Sequence, residues 1–304
     1  MRLVYILTIS LLAFGVMTGC RKEAKLTPSD KPEDVYSDST LPQGSHPYDA
    51  DILQLFKKYR TFFLYKYQPK DLYYNVLYYL GGEYDSASNT VTKGGWFDVP
   101  ADQQYIGDQL NLLKQLWLNY YPDSLLRKGL PQKVYLLDSF YYSYPGVGTP
   151  GELADLYYTY DVVYSGGDYM IATWGAARIN TMTQSDKYLF KSRLNAIFLA
   201  FAHAAGAITT SKVFAAITDY SAIDYSNYNA MGMVDYYSKS PDKDWDAFVN
   251  VIVSNSYATL TSPGNVLDPS VDTQGLIRKK YNIVLAYFMS AFGVDLQAIG
   301  NAGI

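Results

Sequence analysis

Cysteine is almost missing from this chain: Cys20 is the single one in 304 residues, so no disulfide framework can exist. Histidine is nearly as scarce, with His46 and His203 alone. Charged residues make up only 18%, and the net charge of −4 with a pI near 5.2 leaves no basic surface for nucleic acid. Beyond the first twenty residues no apolar run is long enough to span a bilayer. The best candidate, Leu194 to Ile208, contains His203 and follows Lys191 and Arg193, which reads as a buried helix. Common catalytic signatures are absent as well: no H-E-x-x-H, no Gly-x-Ser-x-Gly, no P-loop and no dinucleotide fingerprint.

What is present begins with the first twenty residues. Arg2 supplies a short positive region, Leu3 to Val16 are almost wholly apolar, and Met17-Thr18-Gly19 leads into Cys20. That is the tripartite form of a secretory signal, with an apolar stretch too short for a spanning helix. Small residues before a cysteine are what lipoprotein signal processing requires. The reading is therefore a signal peptide over 1–19, cleavage before Cys20, and a membrane anchor through lipid on the Cys20 thiol. Arg21-Lys22-Glu23 has no aspartate of the kind that retains lipoproteins at the inner membrane, which favours the outer membrane, on its surface or its periplasmic face. Residues 20–48, rich in Pro, Ser, Asp, Lys and Glu, bury too little to offset their ordering entropy and read as a flexible tether containing His46. The folded domain then runs over 49–304, and an apolar content of 49% for the whole chain suits one large packed domain.

Periodicity sketches that domain. Ile52, Leu53, Phe56 and Tyr59 mark one helix; Ile106, Leu110, Leu113, Trp117 and Tyr120 mark a second, closed by Pro122. The period then shortens. Lys133 to Ser139, Tyr157 to Tyr164 and Asp168 to Thr173 read as strands, the last two joined by a hairpin at Ser165-Gly166-Gly167. After Asn180 the pattern is helical: Leu189, Leu194, Ile197, Phe201 and Ala205 predict a buried face on a helix from about Ser185 to Gly206. Trp245, Phe248, Ile252 and Tyr257 predict another opening after Pro241, and Ile277 to Ala291 a third capped by Gly293, with a short piece from Val294 to Ile299. The plan is α+β, a small mostly antiparallel sheet with helices followed by a helical C-terminal half.

Thirty-two tyrosines, many in clusters such as Tyr73-Tyr74, Tyr78-Tyr79, Tyr141-Tyr142-Ser143-Tyr144 and Tyr157-Tyr158-Thr159-Tyr160, admit two readings. They can fill half-buried strand and helix faces, which is the commoner case, or offer ring faces to a sugar or peptide. The acidic residues Asp235, Asp242, Asp244 and Asp246 read as a solvated helix N-terminus rather than a site for a hard cation, since no Asp-x-Asp-x-Asp-Gly loop accompanies them.

Several segments occur in an order that resembles a known family. Phe56-Lys57-Lys58-Tyr59 through Tyr65-Lys66-Tyr67 comes first, then Leu199-Ala200-Phe201-Ala202-His203. Gly232-Met233-Val234 follows, next Pro241-Asp242-Lys243-Asp244-Trp245-Asp246-Ala247, and last Phe292-Gly293-Val294-Asp295-Leu296. Together they resemble the zinc-binding metallopeptidase lipoproteins of Bacteroidetes, also described as substrate import-associated zinc metallohydrolase lipoproteins, over most of residues 49 to 299. The resemblance implies a zincin-like metallopeptidase fold and an association with TonB-dependent nutrient import, hence an import porin and its binding lipoprotein as partners.

The departures decide the expected chemistry. The family's helix reads H-E-F-x-H, in which two histidines four residues apart hold zinc and the glutamate activates its water. Here the first ligand position is Leu199 and the base position Ala200, with Phe201 and His203 matching. The resemblance places the third ligand in the later motif, where this chain has Lys243 and Ala247. Zinc is the family's cofactor, but none is expected here, and no residue is assigned a catalytic role. The leading reading is a pseudoenzyme, a non-catalytic binding or accessory lipoprotein for glycan or peptide import. The alternative is an active zinc metallohydrolase of the same family using unrecognised ligands.

Overall fold

One strand organises the sheet. In the computed structural model, which describes residues 41–73, 79–146, 148 and 158–303, β5 (Lys133–Ser143) has four partners because its two halves pair differently. Its first half runs parallel to β1 (Phe62–Leu64) on one side and β8 (Tyr169–Ala172) on the other, in the register Phe62 to Lys133 and Lys133 to Tyr169. Its second half runs antiparallel to β4 (Gly95–Pro100) and β6 (Tyr158–Asp161). β7 (Val163–Ser165) closes the edge as the hairpin partner of β8, and β2 (Glu83–Asp85) and β3 (Thr90–Lys93) form a separate ribbon. The sheet is thus mixed, with three of its five pairings antiparallel. A strand flanked on both sides and covered on both faces must be apolar nearly throughout. Val134 to Leu137 are all buried, as are Phe140 and Tyr141.

The hairpin at Gly166-Gly167 forms where the turn residues predict it. β5 continues to Ser143, past the predicted end at Ser139, while the expected strand from Tyr157 splits into β6 and β7. Tyr157 itself, with Tyr74 and Tyr78, lies outside the described residues, as do Cys20 and everything read from residues 1–40. Packing begins ahead of Asp49: Leu41 is buried in the core, and His46 joins Asp49 in a capping box that starts α1 (Pro47–Tyr59). His46 also stacks on Tyr48 and meets Gln103 Oε1 at 3.0 Å, so residues 41–48 belong to the domain and not to a tether.

α2 (Pro69–Tyr73), α3 (Ile106–Leu116) and α4 (Asp123–Gly129) complete the first half. The second half is carried by α5 (Gln184–Ala204), α6 (Lys212–Ala215), α7 (Pro241–Ser254), α8 (Tyr257–Leu260), α9 (Leu276–Phe292) and α10 (Leu296–Asn301). None of the described helices is long and apolar enough to cross a membrane.

α5 is the central helix, but of the face predicted to be buried Leu194 alone is fully so. Phe190, Leu194, Phe198, Leu199 and Ala202 are buried, whereas Leu189 is 49% exposed and Ile197 and Phe201 are half-buried. Two polar side chains set the rotation. Lys191, fully buried, donates from Nζ to the carbonyls of Ile299 at 2.7 Å and Ala302 at 2.9 Å, capping the end of α10. Asn195 donates to the Leu116 carbonyl at 2.9 Å and accepts from Tyr121 Oη at 2.8 Å. Each such group, turned instead to an apolar neighbour, would forfeit about 1–3 kcal/mol of hydrogen bonding. The helix therefore turns the Lys191/Asn195 side inward and leaves Leu189 in solvent. Phe198 then packs on Trp117 and Tyr121 with ring centroids 5.7 and 4.8 Å away. Gly129 of α4 lets the two helices touch, since a Cβ there would lie 2.6 Å from the Ala202 methyl.

Candidate functional site

α5 and α7 pack side by side, and the residues facing each other across them include most of those singled out from the sequence. On α5, positions 196, 200 and 203 share a face by helical spacing; on α7, positions 243, 247 and 250 do the same. Ala196, Ala200, Lys243, Ala247 and Asn250 line one trough of about 460 Å³, and Asp235 from the preceding loop closes its rim. The degenerate positions Ala200, Lys243 and Ala247 are thus neighbours in space. Leu199 is not among them: it points into the core at 1% exposure.

His203, at the end of α5, is held by its neighbours through both nitrogens. Nδ1 lies 2.7 Å from Asp246 Oδ1, and Nε2 lies 3.1 Å from Thr210 Oγ1, which in turn sits 2.5 Å from Asp242 Oδ1. Asp242 and Asp246 are four residues apart, so one face of α7 brings both to the same imidazole. The Thr210 hydroxyl thus stands between the ring and a second carboxylate. The hydrogen bond to Asp246 raises the His203 pKa above its ordinary value, with further support from the charges of Asp246 and Asp242 and against partial burial.

A hydroxyl, an imidazole and a carboxylate in sequence have the order of a nucleophile relay, but here Thr210 Oγ1 also faces Asp242 at 2.5 Å, an acceptor that competes with the imidazole for its proton. Zinc would need several donor atoms converging on one point. The two carboxylates approach opposite sides of the ring, Leu199 and Ala200 offer no donor atom, and Lys243 brings positive charge, so of the motif positions His203 alone carries a usual zinc-ligating group. Among the described residues no three His, Cys, Asp or Glu side chains converge where they could hold any metal ion.

The four aspartates read as one solvated helix start have separate fates. Asp235 is tied to its own loop through Tyr237 N and Ser238 Oγ. Asp242 and Asp246 serve His203. Asp244, on the far side of α7, is fully buried: its Oδ2 accepts from Lys280 Nζ at 2.5 Å and from Tyr220 Oη at 2.8 Å, while Lys280 also donates to Thr218 Oγ1 at 2.5 Å. Burial pushes the Asp244 carboxyl up and the Lys280 amine down, and their mutual attraction opposes both shifts. This pair joins α7 to α9 and has no counterpart in the motif reading.

Comparison with known proteins adds little to this geometry. No family model and no curated protein matches the chain. A crystal structure from Bacteroides caccae, of a protein described as a "putative zinc-binding metallo-peptidase", is similar at a TM-score of 0.46 and 16% identity, over 83% of this chain and 88% of that one. So distant a likeness leaves the family open.

Sequence reasoning found Ala200, His203, Lys243 and Ala247, named Asp246 only as part of a solvated helix start, and missed Thr210 and Asn250. The pairing of Asp246 with His203 was legible in principle, since Asp246 is the second carboxylate of an i, i+4 pair. Thr210 was not, because it reaches His203 only after the chain reverses at Gly206, whose φ of +73° ends α5.

Proposed function

We propose that this chain is an outer-membrane lipoprotein, anchored through Cys20, whose metallopeptidase-like fold serves binding and not catalysis. It acts as an accessory component of nutrient import beside a TonB-dependent porin. The reading of Met17-Thr18-Gly19-Cys20 supports the anchor. The observation that carries the non-catalytic reading is the engagement of both His203 nitrogens by Thr210 and Asp246, next to a trough whose motif positions are Ala200, Lys243 and Ala247.

Elemental analysis of the purified lipoprotein tests this directly, with far less than one zinc per chain expected and no chelator-sensitive cleavage of generic peptides. Stoichiometric zinc that His203→Ala removes would replace this reading with an active hydrolase. Cys20→Ala separately tests the anchor: the variant should leave the membrane fraction, and wild-type protein found soluble with a free thiol would overturn it.

A further inference from the structure

The loop between α6 and α7 carries four tyrosines in mutual contact. Tyr225 lies 5.3 Å from Tyr236 and 6.2 Å from Tyr228, centroid to centroid, and Tyr236 lies 5.3 Å from Tyr237. Two of them stand nearly free in solvent, Tyr225 at 72% and Tyr237 at 80% exposure. Rings that large are seldom left so bare without a use. Nor are they loosely held. Asp224 Oδ1 accepts from the backbone of Ser226 and Asn227, Asn227 Nδ2 donates to Ala222 O, and Asn229 Nδ2 donates to Met233 O. Gly232, at φ +83°, packs its α-carbon against Leu276, where a Cβ would meet the leucine side chain at 2.8 Å. The tyrosines are presented on a braced loop, so little ordering entropy remains to be lost on binding.

That loop is also a bank of the trough. Asp235 and Ser238, which bracket Tyr236 and Tyr237 in sequence, both line it. The trough has an apolar floor of Ala196, Ala200 and Ala247, and its rim offers hydrogen-bonding groups not used up within the fold: the Lys243 ammonium has no partner among the described residues, and Asn250 spends only its carbonyl oxygen, on Ser254 Oγ. Ala196, Ile197 and Asn250 are shared with an adjoining hollow of about 640 Å³ that extends along α5 past Arg193 to the exposed Leu189. Each volume falls in the range of roughly 300–1,000 Å³ usual for ligand sites.

We propose that this trough and its tyrosine bank bind a neutral oligosaccharide, a proposal that rests on the binding-protein reading above and names its ligand class. A pyranose ring has a face of C–H groups and a periphery of hydroxyls. Free tyrosine faces match the first; carboxylate, amide, hydroxyl and ammonium groups match the second. The rim mixes Asp235 and Asp246 with Lys243, so no single charge is selected. An extended peptide is disfavoured by the walls: they are two helices and a loop, with no strand edge to pair its backbone.

The test is affinity electrophoresis of the full-length lipoprotein, in a detergent without a sugar headgroup, through gels containing starch, xylan, galactomannan or mixed-linkage β-glucan. At least one polysaccharide should retard it. Tyr225→Ala and Tyr237→Ala should each weaken that retardation about tenfold, the scale of one lost aromatic contact. Tyr237→Phe should retain it, and Ala200→Trp, which fills the trough from an exposed helix position, should abolish it with the melting temperature unchanged. Retardation by none of the four, or retardation indifferent to these variants, overturns the proposal. So does a protein partner, captured from membranes, that the same variants release while no polysaccharide binds. Zinc content is read separately, so a failure here leaves the non-catalytic reading standing, and stoichiometric zinc would overturn that reading whatever the gels show.

Discussion

α7 carries two ionic clusters on opposite faces, and they differ in what they can contribute. On one side Asp242 and Asp246 hold His203 with carboxylates that are 76% and 39% exposed. On the other Asp244 holds Lys280, and both side chains are wholly excluded from solvent. Water competes with the first pair and can replace either partner, so such a contact is worth about 0.2–1 kcal/mol. Nothing replaces a partner in the second, where one Asp244 oxygen already lacks a hydrogen bond. Position on the helix, two residues either way, separates an adjustable surface contact from a structural tie.

The largest effect expected is therefore at Lys280. Lys280→Met leaves a buried carboxylate uncompensated and should cost about 3–5 kcal/mol in urea denaturation. Replacing both, as Lys280→Met with Asp244→Leu, should recover most of that loss. A single variant no worse than His203→Gln would erase the distinction between the two faces.

The next effect distinguishes the two sides of α5. Phe198→Ala, fully buried against Trp117 and Tyr121, should cost about 3–5 kcal/mol. Phe201→Ala should cost clearly less because its ring is only half-buried. Equal losses in denaturation would mean that the predicted face of Leu189, Leu194, Ile197 and Phe201 is the buried one after all. Apart from Leu194, which is buried as predicted, that face was misjudged for a physical reason. α5 is apolar almost all round, so spacing alone cannot choose whether Ile197 and Phe201 or Phe190 and Phe198 join Leu194 in the core. What chooses is Lys191 and Asn195, whose partners lie far away in sequence and look like surface residues until those partners are known.

Other parts were easier to read. α3, α7 and α9 each have one clear apolar stripe, and the Gly166-Gly167 turn declares its hairpin. The second half of β5 and its partner β4 went unread because Trp96-Phe97 and Tyr141-Tyr142 are aromatic on both faces and leave no alternation to follow. At the site, the positions facing the trough followed from helical spacing, but the contact of His203 with Thr210 did not.

His203 itself should matter less, and in a pH-dependent way. Its folded pKa is raised, chiefly by the hydrogen bond to Asp246, so the folded state holds that proton more tightly than the unfolded chain does. The stabilisation is full below the unfolded value of about 6.5 and fades as pH rises through the folded value. His203→Gln should lower stability by no more than about 1 kcal/mol at pH 5.5 and by less at pH 9, with the slope between them flattened. An unchanged slope in the variant would show that the imidazole is not the titrating group. Smallest of all, Tyr237→Ala should stay within about 0.5 kcal/mol of wild type, since its ring is 80% exposed.

The bond from Lys191 to the last helix has a consequence for the order in which this protein can become itself. Its acceptors, the carbonyls of Ile299 and Ala302, lie 108 and 111 residues further along. Until those residues arrive, an ammonium in the middle of the central helix has no acceptors on the side where it must be buried, and α5 cannot dock on the sheet without dehydrating it. A chain emerging N-terminus first thus carries its finished strand segments against an unfinished core for the time needed to make the final third. On this argument the sheet and the helical half close together, once Ile299 and Ala302 are there to accept from Lys191.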